Sequence, residues 1–210
     1  GDFATGRRVS SANLSPGTHA ITVRGTSPTG LSGTSPSITV HIQQNAPPTA
    51  TAIAPAHALT GLATALVCHG EDMDGTIALY EWDFDGDGTY EWSSDTAGTA
   101  DYAFPETGVQ TVACRVTDDI GNTDTDSTTI DVSTPRSISG RVTQAGEGLS
   151  GVTVTLGETM DATVTTGPGG SYAFNNLLPG DYTVTPALAD FAFVPATRNI
   201  LLFANDAVDQ

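Results

Sequence analysis

The sequence has no lysine. Its whole positive charge rests on seven arginines against 24 acidic residues, which gives a formal net charge of −17. A chain so poor in positive charge is a poor partner for nucleic acid, whose phosphates require clustered Lys and Arg, and for anionic membrane surfaces. It also lacks any apolar run near the roughly 20 residues of a transmembrane helix. We therefore predict no nucleic-acid partner and no membrane insertion.

The acidic residues are concentrated in the middle of the chain. Residues 44–133 hold sixteen acids and one arginine, whereas residues 1–43 carry a net charge of +2 and residues 134–210 a net charge of −4. Proline-containing connectors at 45–48 and 133–136 fall at the same two breaks. The sequence therefore predicts three modules, at residues 1–43, 44–133 and 134–210.

Short runs of alternating apolar and polar residues, bounded by Gly, Pro, Asp and Ser, recur along the whole chain. Runs such as His19–Arg24, Val109–Val116 and Val152–Leu156 are typical of half-buried β-strands. The continuous apolar run Ala65–Cys68 predicts a more fully buried strand. No window has the sustained 3.6-residue apolar period of a helix. We predict an all-β chain of tandem β-sandwiches.

The two cysteines lie in predicted strands of the middle module, with Trp82 between them in the sequence. A Cys–Trp–Cys order suits two facing sheets joined by a disulfide that packs on a buried indole. We predict a bridge between Cys68 and Cys114, which closes a loop long enough to contribute about 4 kcal/mol. Two buried free thiols are the alternative.

The middle module resembles the PKD-domain family, whose members are Ig-like sandwiches of extracellular and cell-surface proteins. The resemblance covers about residues 45–133 and follows the family pattern in order. The segments that carry it are Asn45-Ala46-Pro47-Pro48, Glu71-Asp72-Met73-Asp74-Gly75-Thr76-Ile77, Tyr80-Glu81-Trp82-Asp83-Phe84-Asp85-Gly86-Asp87-Gly88, Tyr102-Ala103-Phe104-Pro105-Glu106-Thr107-Gly108 and Val116-Thr117-Asp118-Asp119-Ile120-Gly121. The resemblance implies a spacer, an adhesion module or an accessory domain of a secreted hydrolase.

A first set of polar residues is a candidate calcium site. Asp72 and Asp74 follow one predicted strand and Asp118 and Asp119 follow another, and Asn45 lies at the start of the module. In some PKD domains the equivalent positions bind calcium, a hard cation that takes six to eight oxygen ligands. The alternative is that these residues only form turns.

A second, weaker candidate is the alternating set Asp83, Asp85 and Asp87, which ends in glycine and has Glu91 further on. This pattern resembles the first half of a calcium loop. A full loop of that type needs a bidentate Glu at its twelfth position, where Ser94 stands instead. On the basis of these two acidic sets together, calcium is the cofactor we predict. The alternative for this second set is again that its residues only form turns.

The last module resembles the carboxypeptidase-regulatory-like or Cna-B-type domain, a transthyretin-like β-sandwich, over about residues 137–210. The segments that carry this are Ile138-Ser139-Gly140-Arg141-Val142, Leu149-Ser150-Gly151-Val152-Thr153-Val154, Gly167-Pro168-Gly169-Gly170, Ser171-Tyr172-Ala173-Phe174, Leu177-Leu178-Pro179-Gly180-Asp181-Tyr182-Thr183-Val184 and Phe191-Ala192-Phe193-Val194-Pro195. The resemblance implies a stalk or spacer. Some members carry a Lys–Asn isopeptide crosslink, which a chain without lysine cannot form.

The first module looks incomplete. Residues 1–43 offer about three strands, at Arg7–Ser10, His19–Arg24 and Ser37–Ile42, and resemble the closing half of an Ig-like repeat. We expect either a window of a longer multi-domain protein or a subunit whose half-sandwich a neighbour completes by strand addition. Joining residues 206–210 to a following Gly1-Asp2-Phe3 would supply a last strand for the terminal module.

No residue pattern points to catalysis, because none of the four histidines has an acid and a nucleophile at suggestive spacing. We predict a non-enzymatic, extracellular or cell-surface structural protein: a repeat segment or subunit of a surface fibre, filament or adhesin stalk, assembling head-to-tail. Its partners would be copies of itself, neighbouring sandwich modules or cell-surface glycans. The alternative is a substrate-binding or spacer region of a secreted hydrolase. Asn13 begins one weak N-glycosylation sequon.

Overall fold

The computed structural model describes residues 14–203 and, for the backbone alone, residues 207–209. The strand predicted at Arg7–Ser10 and the sequon residue Asn13 lie outside the described residues. All regular structure in the described part is β, in 21 strands without a helix, so the predicted all-β class is confirmed. Those residues accordingly include no helix long and apolar enough to cross a membrane. The chain divides into two compact units between Ala46 and Pro47.

The described part of the first unit, residues 14–46, contains two antiparallel strand pairs. Its strands are β1 Gly17–Ile21, β2 Arg24–Thr26, β3 Ser32–Thr34 and β4 Ile38–Ile42. β1 pairs with β4, and between them in the chain β2 pairs with β3 as a hairpin. At the hairpin turn, the Gly30 amide donates to the Ser27 carbonyl (2.9 Å). Two of the three strands predicted for this module are thus present near their predicted positions.

The described residues of the first unit contribute no side chain to a hydrophobic core. Four of its large apolar side chains are instead exposed: Ile21 by 37%, Val23 by 65%, Leu31 by 76% and Ile38 by 62%. Within residues 14–46 no second layer covers these strand pairs, and isolated two-stranded pairs are at best marginally stable in water. The first unit therefore presents apolar surface that a folded sandwich would bury.

The second unit begins with a two-sheet sandwich, the middle module. Its strands are β5 Thr49–Ile53, β6 His57–Leu59, β7 Ala63–Glu71, β8 Ile77–Asp83, β9 Trp92–Ser94, β10 Thr99–Ala103, β11 Gly108–Asp118 and β12 Thr123–Ser133. One sheet has the order β10-β7-β5 and the other the order β6-β12-β11-β8-β9. Their inward side chains form a single core centred on Trp82, which is fully buried.

A disulfide joins Cys68 of β7 to Cys114 of β11 and so links the two sheets, with Cα atoms 5.8 Å apart. The Trp82 indole donates to the Gly98 carbonyl (2.9 Å), which also accepts the Cys68 amide (2.9 Å). The prediction of a more fully buried strand at Ala65–Cys68 is wrong. Burial alternates along β7, because one face of the sheet meets solvent, and Val67 is 38% exposed.

Two aspartates of β12 cap the free edge of β5. The Ala50 amide donates to Asp124 Oδ2 (2.9 Å) and the Ala52 amide to Asp126 Oδ2 (2.8 Å). β5 is the edge strand of its sheet, so these amides have no neighbouring strand on that side. The carboxylates therefore satisfy an edge that would otherwise be open to pairing with another chain.

We expect Asp126→Ala to lower the free energy of unfolding of the middle module by about 1.5–3 kcal/mol, because it removes a charge-assisted hydrogen bond. Asp126→Asn keeps an acceptor oxygen and should cost clearly less. Urea unfolding followed by tryptophan fluorescence measures this module alone, since both tryptophans lie in it. Equal losses for the two variants would contradict the capping role.

The terminal module is a second sandwich with its own core, built around Ile138, Leu156 and Tyr182. Its strands are β13 Arg136–Arg141, β14 Thr143–Gln144, β15 Glu147–Gly148, β16 Thr153–Glu158, β17 Ala162–Thr165, β18 Ser171–Leu177, β19 Gly180–Ala187, β20 Arg198–Leu202 and β21 Ala207–Asp209. The sheets have the orders β18-β13-β21 and β17-β16-β19-β20, with a β14-β15 ribbon beside them. β21 pairs with β13 in parallel.

Candidate metal centre

The hairpin loop between β8 and β9 brings four carboxylates together. Asp83 is the last residue of β8 and Glu91 directly precedes β9, so antiparallel pairing of the two strands places them side by side. Asp85 and Asp87 lie in the loop between them. Ligand atoms of all four lie within 4.8 Å of one another, which makes this the one such group of three or more Asp, Glu, His or Cys residues in the described part of the chain.

Backbone hydrogen bonds fix the shape of this acidic loop. Asp83 is 3% exposed, and its two carboxylate oxygens accept the amides of Gly86 (2.6 Å) and Gly88 (2.8 Å). Glu91 Oε2 accepts the Phe84 amide (2.8 Å) from across the hairpin. Gly86 and Gly88 have φ values of 73° and 90°, which other residues rarely adopt. The loop is therefore held in shape by its own backbone, with the carboxylates turned toward each other.

The arginine nearest to this loop in the sequence is paired with Glu81, which is not one of the four carboxylates. Arg115, the single arginine among residues 44–133, donates from Nε to Glu81 Oε2 (2.7 Å), and its guanidinium carbon lies 4.0 Å from the centre of the Tyr90 ring. The hydrogen bond to Glu81 raises the pKa of Arg115 above its ordinary value, against the opposing effect of desolvation. The four loop carboxylates thus repel one another, and a divalent cation would relieve that repulsion.

The sequence pattern indicated Asp83, Asp85 and Asp87, with Glu91 further on, and the twelfth position of a calcium loop falls at Ser94. Ser94 is in β9, where its hydroxyl accepts the Thr96 amide (3.2 Å) and so belongs to a turn. The structure places the Glu91 carboxylate beside the three aspartates, through the pairing of β8 with β9. The β8–β9 hairpin returns the chain to Asp83 sooner than a twelve-residue calcium loop does, so Glu91 rather than residue 94 meets the aspartates.

In the first candidate set, Asp72 and Asp119 come together. A Cβ added to Gly75 would lie 2.5 Å from Asp72 Oδ2 and 2.6 Å from Asp119 Oδ1, so both carboxylates converge on this glycine. Asp72 Oδ2 is a buried atom without a hydrogen-bond partner. A buried carboxylate oxygen left unpaired beside a second carboxylate is costly, and its chemistry fits a hard cation.

The other members of that set have different surroundings. Asp118 is 2% exposed and accepts the amides of Ile120 (3.0 Å) and Asn122 (2.8 Å) as well as the Asn122 side-chain amide (2.8 Å). The Asp74 amide donates to Asp72 Oδ1 (3.2 Å). Asn45 belongs to the first compact unit, where its side-chain amide donates to the Ala46 carbonyl (2.8 Å). That all five residues bind one ion stays a prediction.

The fold places two β-sandwich modules in succession, the first of which carries an acidic loop that could hold a metal ion. Sequence profiles of two families match it: the PKD domain at residues 45–132 and the carboxypeptidase regulatory-like domain at residues 137–208. The chain therefore contains a PKD domain followed by a carboxypeptidase-regulatory-like domain, as the sequence resemblance implied. Both are non-catalytic module types. A search of curated proteins finds no significant match.

Several solved structures are similar to parts of the chain. Fibronectin(III)-like modules of Clostridium thermocellum CbhA share 20% identity, with 58% of this chain and 65% of that chain covered and a TM-score of 0.41. The PKD1 domain of Vibrio anguillarum Epp shares 30% identity over 43% of this chain and 99% of that one, with a TM-score of 0.36. BcpA, the major pilin subunit of Bacillus cereus, shares 10% identity over 90% and 76%, with a TM-score of 0.33. The chain thus spans just under two thirds of the CbhA modules.

PKD domains typically belong to extracellular or surface proteins, and the two domain types found here fit an extracellular repeat or stalk module. The acidic loop of Asp83, Asp85, Asp87 and Glu91 could hold a metal ion.

Proposed function

We propose that the chain is a segment of an extracellular fibre or stalk in which β-sandwich modules act as spacers and join head-to-tail. The observation that carries this proposal is the first unit. Its strand pairs leave Val23, Leu31 and Ile38 more than half exposed, and none of its described residues enters a core. The two modules that follow each have a core of their own. The first unit therefore gains most from a partner.

The partner with matching chemistry is another β-sandwich module, either of a second copy or of a neighbouring domain. Strand addition would supply backbone hydrogen bonds to an open edge of the first unit and cover its apolar side chains. A contact between one end of a copy and a different end of the next does not close on itself, so it extends into a filament. The +2 charge of residues 1–43 and the −15 charge of residues 44–133 favour this association at low salt.

We further propose that calcium stiffens the middle module. The acidic loop of Asp83, Asp85, Asp87 and Glu91 would hold one ion, and Asp72 with Asp119 would contribute to another. Both sets present carboxylate oxygens, the ligands that calcium prefers, in a module with sixteen acids and one arginine. A cation there would reduce the self-repulsion that opposes a compact module.

Ile38→Lys tests the assembly. Ile38 is 62% exposed on β4, so a lysine leaves the unit's own contacts intact while placing a charge on the apolar surface that a partner would cover. We expect sedimentation velocity at low salt to show assemblies for the unmodified chain and mainly monomers for Ile38→Lys. Val109→Lys is the matched control, since Val109 is 71% exposed on the middle module. If both variants assemble like the unmodified chain, the proposed surface is wrong.

A further inference from the structure

One end of the terminal sandwich has a cavity of about 330 Å³ that opens onto the hydrophobic core. Its floor includes Tyr172 of one sheet and Val184 of the other, both almost fully buried. The loop between β19 and β20 forms an apolar wall through Phe191 and Phe193, whose ring centres lie 6.4 Å apart. Phe191 is 40% exposed. The volume suits a single large side chain, at the lower end of the range for ligand cavities.

The charge at this cavity is opposite to that of the module around it. Residues 134–210 contain seven acids and three arginines, yet two of the arginines, Arg141 and Arg198, line the cavity and no carboxylate does in the described part of the chain. Arg141 donates from Nε to the Gly169 carbonyl (2.7 Å), which fixes the position of its guanidinium. An apolar floor with a fixed guanidinium at its edge selects an apolar side chain that has a carboxylate next to it.

We propose that this cavity is a peptide-docking site that takes an aromatic side chain flanked by an acid, and that its occupant is Asp2-Phe3 of a second copy. Phe3 is the single aromatic residue and Asp2 the single acid among residues 1–43. Both lie outside the described residues. The Phe3 ring would occupy the cavity above its apolar floor, while the Asp2 carboxylate pairs with Arg141 and Arg198. The choice of a second copy rests on the head-to-tail assembly proposed above.

The test is calorimetric titration of a synthetic peptide of residues 1–8 into the full chain at low salt. The chain carries Phe3→Ala so that its own segment does not compete. We expect binding of one peptide per chain, loss of binding for the Phe3→Ala peptide, and an affinity about tenfold lower for the Asp2→Asn peptide, the loss expected for one charge-assisted hydrogen bond.

Receptor variants locate the site. Arg141→Gln and Arg198→Gln should each weaken binding of the peptide by about tenfold. Arg24→Gln, which changes an arginine of the first unit that donates to Ser32, should leave it unchanged. No binding, or equal binding to the Arg141→Gln/Arg198→Gln double variant, would overturn the docking site. If the chain still assembles in that case, the proposed function stands without it; if the peptide binds but the chain remains monomeric, the assembly fails and the docking site stands.

Discussion

Replacing Cys68 and Cys114 together by alanine should lower the free energy of unfolding of the middle module by about 4 kcal/mol. The bridge closes a loop with a sequence separation of 46 residues between two facing sheets. Its loss raises the conformational entropy of the unfolded chain, which in the chain-entropy model lowers the free energy of unfolding by about 4 kcal/mol. Both cysteines are almost fully buried, so the two alanines also leave unfilled space. Since small domains are stable by about 5–15 kcal/mol, this is a large share of the total.

Urea unfolding followed by tryptophan fluorescence measures this loss, because Trp82 and Trp92 both belong to the middle module. Reducing the disulfide of the unmodified chain is the matched control and should give a similar loss without any change of sequence. A loss below about 1 kcal/mol for both would show that the bridge contributes little beyond packing.

Calcium should raise the melting temperature of the middle module by about 10 °C or more. A ligand at about 100 times its dissociation constant stabilises the folded state by about 2.7 kcal/mol, and each kcal/mol shifts a domain of this size by about 4–8 °C. The measurement is tryptophan-detected melting with calcium and with chelator. Identical melting temperatures in the two conditions would contradict calcium binding by the middle module.

Asp85→Asn should shift the melting temperature in opposite directions in chelator and in calcium. In the unmodified chain the Asp87 amide donates to Asp85 Oδ1 (3.1 Å). The asparagine keeps an oxygen that can accept this bond, but it removes one negative charge from the loop. In chelator we expect Asp85→Asn to melt higher than the unmodified chain, because repulsion among the four carboxylates falls. In calcium we expect it to melt lower, because a ligand is lost. Asp101→Asn, an exposed position on β10, should show neither effect.

The two candidate sites are separated by a second pair of variants. Asp119→Asn affects the pair that converges on Gly75 and leaves the β8–β9 loop unchanged. If only one of Asp85→Asn and Asp119→Asn reduces the calcium response, the ion binds at that site. If each removes part of it, both sites bind.

The strands were predictable where the residue pattern within a single strand is enough to indicate it. Alternating apolar and polar residues, as in Val109–Val116, predict a strand because a sheet with one solvent-exposed face requires a two-residue period. Strand β11 lies there. The pairing of Cys68 with Cys114 followed from the order of strands and tryptophan. The more fully buried strand predicted at Ala65–Cys68 was wrong because composition alone does not tell which faces of a sheet are covered. The parallel pairing of β21 with β13 depends on contacts across the whole module.

The candidate site was predictable in its type and less so in its members. Alternating aspartates before a glycine identified the acidic loop, since that pattern follows from local chain geometry. Glu91 reaches the loop only through the register of β8 with β9, which the sequence does not state. Asp118 was grouped with possible ion ligands, yet its carboxylate accepts three hydrogen bonds from the following turn. Likewise, the contacts of Asp124 and Asp126 with the β5 backbone arise from tertiary structure.

Amide hydrogen exchange in β1 and β4, measured across a range of protein concentrations, tests the central claim most directly. Head-to-tail strand addition predicts fast exchange in dilute protein and protection that rises with concentration, because these strands complete a sandwich only with another copy. The amides of β7 and β11 serve as the internal reference and should stay protected throughout. Slow exchange of β1 and β4 in a dilute monomer, or protection that does not change with concentration, would contradict it.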